Sequence, residues 1–310
     1  MMANQKTEHL LLSNQRKQES YKEMTWRFKK YISDFDSANI NDDLLVKKTD
    51  VITKYQKNML DLVGTDCIFT TKGSDNSNIY PDKPYFIFKN RGYRSTNGYI
   101  IPGINSEYFK RHWYLYYNKP EDISWEEKQG KLFWRGAFTG KIHRPGSRYK
   151  LLLNNFGKSS LIDIGLTNSL DIPNEKRQYI DNKWLTKKVK PEKFLEHKYI
   201  LSVHGNDKDS GLNWKLNSNS LVLMNKPEYT SWLLECELKP WVHYVPLNSE
   251  FTDLFDKIVW CEANQDKCKE IVQNANNFMK MFLDLKFEEK LERMVINHYK
   301  NSLRKYGYIN

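Results

Sequence analysis

The sequence predicts an α/β fold, and three observations support this class. Short apolar runs that suit buried strands alternate with helical patterns along most of the chain. Loops rich in Gly, Asn, Asp and Ser separate these segments, as is usual where strands meet helices. The 310 residues, with 39% hydrophobic and 14% aromatic content, are enough for two medium-sized cores. We therefore expect layered domains rather than a disordered chain.

The N-terminal third predicts two helices followed by short strands. The patterns give helices over 5–32 and 43–63 and strands over 67–71, 85–88 and 99–102. Asp75 lies in the polar loop directly after the first of these strands. Loops that follow strands often carry catalytic carboxylates, so Asp75 is a candidate catalytic residue. A solvated loop aspartate is the other interpretation.

The rest of the chain alternates more regularly. The pattern predicts strands at 132–134, 161–164 and 221–224 and a further strand that ends at 203. It predicts helices at 148–155, 212–217, 253–263, 266–282 and 286–306, and a polar loop region at 171–189. The loop Gly205–Gly211 leads from a strand into a helix, with Ser210 at the expected N-cap. Free N–H groups at such a helix start suit a diphosphate. An ordinary strand-to-helix turn has the same composition.

The segment from Arg135 to Arg148 is the second candidate for anion binding. It places Lys141, His143 and Arg144 between these two arginines and among three glycines. Cations close to a pyrophosphate would neutralise the charge that develops when a sugar–phosphate bond breaks. A basic surface loop is the alternative interpretation, and the spacing does not decide between them.

The segment 239–246 predicts an apolar strand bounded by two prolines. It carries His243, flanked by Trp241 and Tyr244, and His243 and Tyr244 are candidate cleft residues where the strand ends. A histidine buried in the core with its hydrogen bonds satisfied is the simpler interpretation of such a residue.

Composition limits the class of partner. The chain has 49 Lys and Arg against 38 Asp and Glu, a net charge of +11, which favours anionic partners such as nucleotides, phosphorylated glycans or anionic membrane surfaces. No nucleic-acid-binding signature accompanies this charge, so we do not expect a nucleic-acid partner. The four cysteines lack the paired spacing of a zinc site.

Neither a signal peptide nor an apolar run long enough to span a membrane is recognisable. The expected location is therefore the cytoplasm, including its membrane surface.

Several of these segments together resemble glycosyltransferase family 90. The similarity lies in Trp134-Arg135-Gly136-Ala137-Phe138-Thr139-Gly140 with Arg148, and in the later blocks Tyr199–Asp207, Ser218–Leu223 and Leu238–Pro246. The family includes protein O-glucosyltransferases, capsule xylosyltransferases and bacterial lipopolysaccharide-modifying enzymes. The Gly-Asn-Asp block makes this chain most similar to the bacterial branch.

The resemblance implies a GT-B fold, in which two Rossmann-like domains face each other across a cleft. The expected boundaries are an acceptor-side domain over 1–128, a nucleotide-sugar domain over 129–284, and a C-terminal helix 285–310 that packs back on the first domain. The implied reaction is an inverting transfer of glucose, galactose or xylose from a UDP-sugar to a glycan hydroxyl. The implied acceptor is a lipopolysaccharide core or a surface glycan.

The resemblance also implies site residues. Asp75 falls near the position of the family's catalytic carboxylate. The donor-binding residues would be Arg135, Gly136, Ala137, Thr139, Arg148, Gly205, Asn206, Asp207, Lys208, Asp209, Ser210, Gly211, Asn213 and Lys215. No cofactor and no metal ion are expected, although Asp207-Lys208-Asp209 has the letters of a metal-binding motif. The alternative function is a non-catalytic protein that binds glycan or nucleic acid.

Overall fold

The computed structural model describes residues 18–32, 40, 42–50, 53–70, 88–89, 91–93, 99–103, 121–167, 172 and 174–310. Its strands, in chain order, are β1 Leu45–Lys47, β2 Cys67–Phe69, β3 Phe88–Lys89, β4 Arg91–Tyr93, β5 Tyr99–Ile100, β6 Gln129–Gly136, β7 Ile162–Leu166, β8 His197–Ser202, β9 Leu221–Met224, β10 Tyr229–Ser231 and β11 Val245–Pro246. Helices and strands alternate along the chain, which confirms the α/β class.

The α-helices are α1 over 18–31, α2 Lys54–Val63, α3 Arg148–Asn155, α4 Asn174–Arg177, α5 Pro191–Leu195, α6 Leu212–Leu216, α7 Leu254–Ala263, α8 Gln265–Lys280 and α9 Leu285–Lys305. The described residues form two compact units. One lies within Met1–Phe109 together with Asp284–Asn310, and the other within Lys110–Leu283.

In the first unit, α9 is held by polar contacts to α1 and to the short strands. Arg27 of α1 donates to both carboxylate oxygens of Glu288, and both side chains are fully buried. The Tyr299 hydroxyl accepts the backbone N–H of Phe69 at 2.9 Å, and the Tyr99 hydroxyl lies 3.0 Å from Ser302 Oγ. One face of α9 is therefore buried in this unit, and it carries Glu288, Leu291, Glu292, Val295, Tyr299 and Leu303.

The prediction of one helix over 43–63 was wrong in its first half. Residues Leu45–Lys47 form a strand that pairs antiparallel with Cys67–Phe69, and the helix begins only at Lys54. Thr53 sets that start, because its hydroxyl accepts the N–H of Gln56 while the Gln56 side chain accepts the N–H of Thr53. The apolar residues before Thr53 suit a strand as well as a helix, and the pairing with β2 decides the outcome.

The second unit is built on a parallel sheet of five strands, in the order β11-β9-β8-β6-β7. Each neighbouring pair is parallel, and β6 pairs with both β7 and β8, with a register shift against β8 between Gln129 and Leu132. Alternate residues of a strand face one side of a sheet. The large core on one face contains Leu132, Trp134, Tyr199, Leu201 and Leu223 from the strands, with Leu151, Ile258, Cys261, Cys268 and Ile271 from α3, α7 and α8.

Helix α3 occupies the predicted residues and begins at the carboxyl edge of this sheet. Ser147 is its N-cap, and the Ser147 hydroxyl accepts the N–H of Lys150 at 3.2 Å. The helix ends at Asn155, shortly before Gly157, whose φ of 70° is left-handed. Because the cap fixes the start, Arg148 is the first helical residue.

Candidate functional site

The strand order of the second unit defines where a ligand would bind. Strand β7 lies on one side of β6, whereas β8, β9 and β11 follow on the other side. In open α/β sheets, ligands bind outside the carboxyl ends of the strands where the order reverses, here between β6 and β8. The segments that leave these two strands are 137–148 and 203–211, which contain most of the predicted donor-binding residues.

The two segments approach each other backbone to backbone. A Cβ on Gly140 would lie 2.4 Å from the carbonyl oxygen of Gly205, and Gly140 has a left-handed φ of 86°. A Cβ on Gly205 would lie 2.2 Å from Thr139 Oγ1. The N–H of Gly140 donates to Asn206 Oδ1 at 3.0 Å. Glycine is therefore required at Gly140 both by its conformation and by the space available.

Arg148 joins the ends of both strands. Its Nη1 donates to the carbonyl oxygen of Ala137 at 2.6 Å, and its Nη2 donates to that of Val203 at 3.1 Å. Its Nε is buried without a hydrogen-bond partner among the described residues. Burial lowers the pKa of Arg148, while the carboxylates of Asp209 and Asp207 act in the opposite direction. An arginine keeps its charge even so, and the site therefore contains a partly buried cation.

Asp209 fixes the loop that follows β8. Its Oδ2 accepts from Ser202 Oγ at 2.9 Å and from Lys215 Nζ at 2.6 Å, and its Oδ1 accepts the N–H of Gly211 at 2.9 Å. Burial alone would raise the pKa of Asp209, but the Lys215 ammonium and these hydrogen bonds hold it below its ordinary value. The N-cap of α6 is Gly211 and not the predicted Ser210, which is exposed.

The two lysines of this stretch donate to protein groups. Lys215 Nζ also donates to the carbonyl oxygen of Leu201 at 2.9 Å, and Lys208 Nζ donates to Ser231 Oγ at 2.7 Å. Both side chains are almost fully buried, and so is the predicted donor residue Asn213. A direct contact of these three residues with a donor stays a prediction.

Arg135 lies on β6 and contacts the neighbouring strand β7 rather than the two loops. Its Nη2 donates to Asp163 Oδ1 at 2.6 Å, and its Nη1 donates to the carbonyl oxygens of Trp134 and Asp163. Gly136 leaves no room for a side chain, since a Cβ there would lie 2.5 Å from Trp134 Cζ2. Arg135 therefore supports the sheet on which the site is built, and its contact with a donor stays a prediction.

His243 and Tyr244 directly precede β11, at the end of the sheet opposite to the carboxyl ends of β6 and β8. The predicted strand over 239–246 was too long: only Val245–Pro246 is extended, and the residues before it form a turn in which Trp241 has a φ of 62°. They precede a parallel strand, so they lie at its amino end. His243 Nδ1 accepts the N–H of Lys239 at 2.9 Å, and burial, reinforced by the Lys239 charge, lowers the pKa of His243.

Sequence reasoning missed a pocket beside the loop that follows β8. Arg144 pairs with Glu228 there, and its guanidinium carbon lies 4.9 Å from the centroid of the Tyr229 ring. Asn225 follows β9 directly, just as the glycine loop follows β8, and that position was the signal available in the sequence. The pocket is lined by Ser202, His204, Lys208, Asp209, Leu212, Met224, Asn225, Lys226, Pro227, Glu228, Tyr229 and Glu235.

His204 is a neutral group in this pocket. Its Nε2 lies 3.3 Å from the carbonyl oxygen of Pro145, and its ring centroid lies 6.3 Å from that of Tyr229. Burial and the nearby Arg144 charge lower the pKa of His204 to about 4. The imidazole is therefore uncharged near neutral pH.

Asp75 lies outside the described residues, so its catalytic role stays a prediction. Within the described ranges, no three His, Cys, Asp or Glu side chains are grouped so that they could hold a metal ion. Independence from metal stays a prediction. Among the described helices, none combines the length and apolar character that a membrane span requires.

Comparison with known proteins identifies the family of the chain. The family model for glycosyl transferase family 90 matches residues 112–307, and the chain belongs to this family. O-glucosyltransferase LpsA of Dichelobacter nodosus is 30% identical over 203 residues, which are 65% of this chain and 57% of that protein. The resemblance predicted from the sequence is confirmed, and the family is one of glycosyltransferases, the enzyme class that the sequence predicted.

Similar proteins also occur in animals. Protein O-glucosyltransferase 2 of Danio rerio is 30% identical over 159 residues, 51% of this chain and 30% of that protein. Protein O-glucosyltransferase 3 of Rattus norvegicus is 27% identical over 152 residues, 49% of this chain and 28% of that protein. The chain thus aligns with less than two thirds of the length of each of these relatives.

Proposed function

We propose that this chain is an inverting glycosyltransferase that moves a hexose or pentose from a UDP-sugar to a hydroxyl of a glycan acceptor. The observation that carries the proposal is the pair of loops at the carboxyl ends of β6 and β8, joined by Arg148. Family membership supports the reaction class. The names of the relatives make UDP-glucose the first donor to test, with UDP-galactose and UDP-xylose beside it.

Electrostatics support a diphosphate at this place. Arg148 lies in the first turn of α3, where the positive end of the helix dipole already disfavours a cation. An anion bound there would interact favourably with the helix end and with the guanidinium at the same time. Ala137, Thr139, Gly205 and Asn206 surround this point and are the proposed donor contacts.

The proposed reaction is a single displacement. A carboxylate, for which Asp75 is the proposed residue, accepts the proton of the acceptor hydroxyl. The acceptor oxygen forms a bond to the anomeric carbon as the bond to the β-phosphate oxygen breaks, and UDP leaves with the electron pair. The charge on the departing UDP would be stabilised by Arg148 and by the start of α3, so no metal ion is required in the proposal.

A GT-B arrangement is part of the proposal. The five-stranded parallel sheet of the second unit supports a nucleotide-binding Rossmann-like domain. The proposed acceptor side is the N-terminal domain, 1–128, with helix 285–310. The acceptor is proposed to be a lipopolysaccharide core or another surface glycan, which is consistent with the bacterial relative.

A peripheral contact with an anionic membrane is also proposed. Lys183, Lys187, Lys188 and Lys190 are exposed, and none of them forms an ion pair with another described residue. Each lysine near an anionic surface contributes about 1 kcal/mol. Co-sedimentation with vesicles containing phosphatidylglycerol, but not with pure phosphatidylcholine vesicles, is expected. Changing all four to Gln should abolish it; unchanged sedimentation would contradict the contact.

The test of the proposed function is UDP release. The protein is incubated with UDP-glucose, UDP-galactose and UDP-xylose, with and without oligosaccharides of the lipopolysaccharide core or capsular glycans. Acceptor-dependent release from one donor is expected, with a β-linked product from an α-linked donor. Glycan binding without UDP release would indicate the non-catalytic alternative. Salt-sensitive binding to arbitrary DNA or RNA without nucleotide binding would indicate the nucleic-acid alternative.

A further inference from the structure

Glu235 is a buried carboxylate that contacts the loop after β8 through Lys208. Only 1% of Glu235 is exposed. Its Oε1 lies 3.0 Å from Lys208 Nζ, and its Oε2 accepts the N–H of Ser231 at 2.7 Å. Ser231 Oγ lies 2.8 Å from Glu235 Oε1 and accepts from Lys208 Nζ. The three side chains therefore form one buried network.

The backbone before Glu235 adopts a conformation that bulky residues rarely have. Leu234 has a φ of 54° and a ψ of 46°, in the left-handed region. For a residue such as leucine this conformation is unfavourable and persists only where the surroundings determine it. It starts the 3-10 turn Glu235–Glu237 and leaves the Glu235 carboxylate beside Ser231. The unfavourable conformation thus accompanies the placement of this carboxylate.

The network contacts the centre of the loop Gly205–Gly211, which is called the donor loop below. Lys208 lies midway between Gly205 and Gly211, and its side chain is only 7% exposed. The next residue, Asp209, is held separately by Lys215 and Ser202. Two buried ion pairs on successive residues therefore fix the loop whose Gly205 and Asn206 contact the segment after β6.

We propose that Glu235 is a positioning residue for the donor loop and that Lys208 acts through the loop backbone rather than on the donor. What the loop binds rests on the proposed function. The ammonium of Lys208 is committed to Glu235 and Ser231, and removal of either charge leaves the other buried and unpaired. Removal of both charges leaves no buried unpaired charge, because methionine at position 208 can fill the volume of the lysine side chain and Gln at position 235 can still bond to Ser231.

The test compares Lys208→Met, Glu235→Gln and the double variant. Each single variant is expected to weaken UDP binding by about tenfold or more, because a misplaced loop misplaces its contacts. The double variant is expected to recover UDP affinity to within about threefold of the parent protein, because no unpaired charge remains. If Lys208 contacts the diphosphate directly, the double variant will be as weak as Lys208→Met, which would overturn the proposal.

A matched control uses an exposed ion pair of the same unit. Lys267 and Glu270 lie 2.7 Å apart on α8, with roughly half of each side chain exposed. Lys267→Met, Glu270→Gln and their double variant should leave UDP affinity unchanged, since exposed pairs contribute little. A loss of affinity in this control set equal to that in the buried set would also overturn the proposal.

Hydrogen exchange provides a measurement that does not depend on UDP. Amides of residues 205–211 should exchange faster in both single variants and return to the parental rate in the double variant. If the loop amides of the single variants keep their parental rates, Glu235 does not position the loop. Absence of UDP binding in the parent protein would refute the proposed function, whereas the exchange rates would still decide the role of Glu235. If Lys208→Met does not fold, Lys208→Arg, which keeps the charge, should show parental exchange.

Discussion

Gly140→Ala tests the contact between the two loops most sharply. The substitution would force alanine into a φ of 86° and place its Cβ 2.4 Å from the carbonyl oxygen and 2.8 Å from the carbonyl carbon of Gly205. The left-handed conformation costs about 1–2 kcal/mol. The overlap is with backbone, which cannot rotate away, and such overpacking costs about 1–3 kcal/mol more. The expected loss of unfolding free energy is therefore about 2–5 kcal/mol.

Gly157→Ala separates the two contributions. Gly157 has a φ of 70°, but a Cβ there would meet no atom within 4 Å. It should lose only the conformational part, about 1–2 kcal/mol. Urea unfolding followed by tryptophan fluorescence measures both losses. Gly140→Ala should also weaken UDP binding, and Gly157→Ala should not. Equal losses of stability in the two variants, with UDP affinity unchanged in both, would refute the described approach of the loops.

Three further predictions follow from single residues. Asp75→Asn should keep UDP binding and lower turnover by about 10²–10⁴-fold, the usual contribution of general-base catalysis; unchanged turnover removes Asp75 from the mechanism. Arg148→Met should weaken UDP binding more than Arg148→Lys in calorimetric titration, because methionine removes the charge as well as both hydrogen bonds; equal losses would contradict a role for the charge. His204 has a pKa of about 4 when folded and about 6.5 when unfolded, so the unfolded state binds more protons between these values, and stability should fall as pH decreases from 6.5 to 4. His204→Asn should flatten that slope in thermal unfolding, and a slope unchanged from the parent protein would contradict it.

The sequence predicted elements well where the signals were local. Helix α3 occupied the predicted residues because Ser147 caps it and apolar residues recur with the helical period. Strand β1 was missed because its identity depends on pairing with Cys67–Phe69, which is a contact distant in sequence. The turn before β11 was mistaken for a strand because Trp241 adopts a left-handed φ, which no neighbouring residue in the sequence indicates.

The candidate site was predictable in position but less so in detail. The glycine loop after β8 was recognisable because a close backbone approach requires glycine. The roles of the cations were not, because a charged group binds whichever partner the fold brings near. Arg135 meets Asp163 on the next strand, and Lys208 meets Glu235 in a turn beyond β9. Both partners depend on the sheet order, which the sequence pattern left open.

The most direct test of the central claim is thermal unfolding of the full chain with UDP, GDP, CMP, ADP and dTDP, each with and without EDTA. A ligand that binds only the folded state at a hundredfold excess over Kd stabilises it by about 2.7 kcal/mol. A UDP-selective shift that persists in EDTA is predicted. No shift with any nucleotide would contradict a nucleotide site at the ends of β6 and β8, and a UDP shift abolished by EDTA would contradict metal-independent binding.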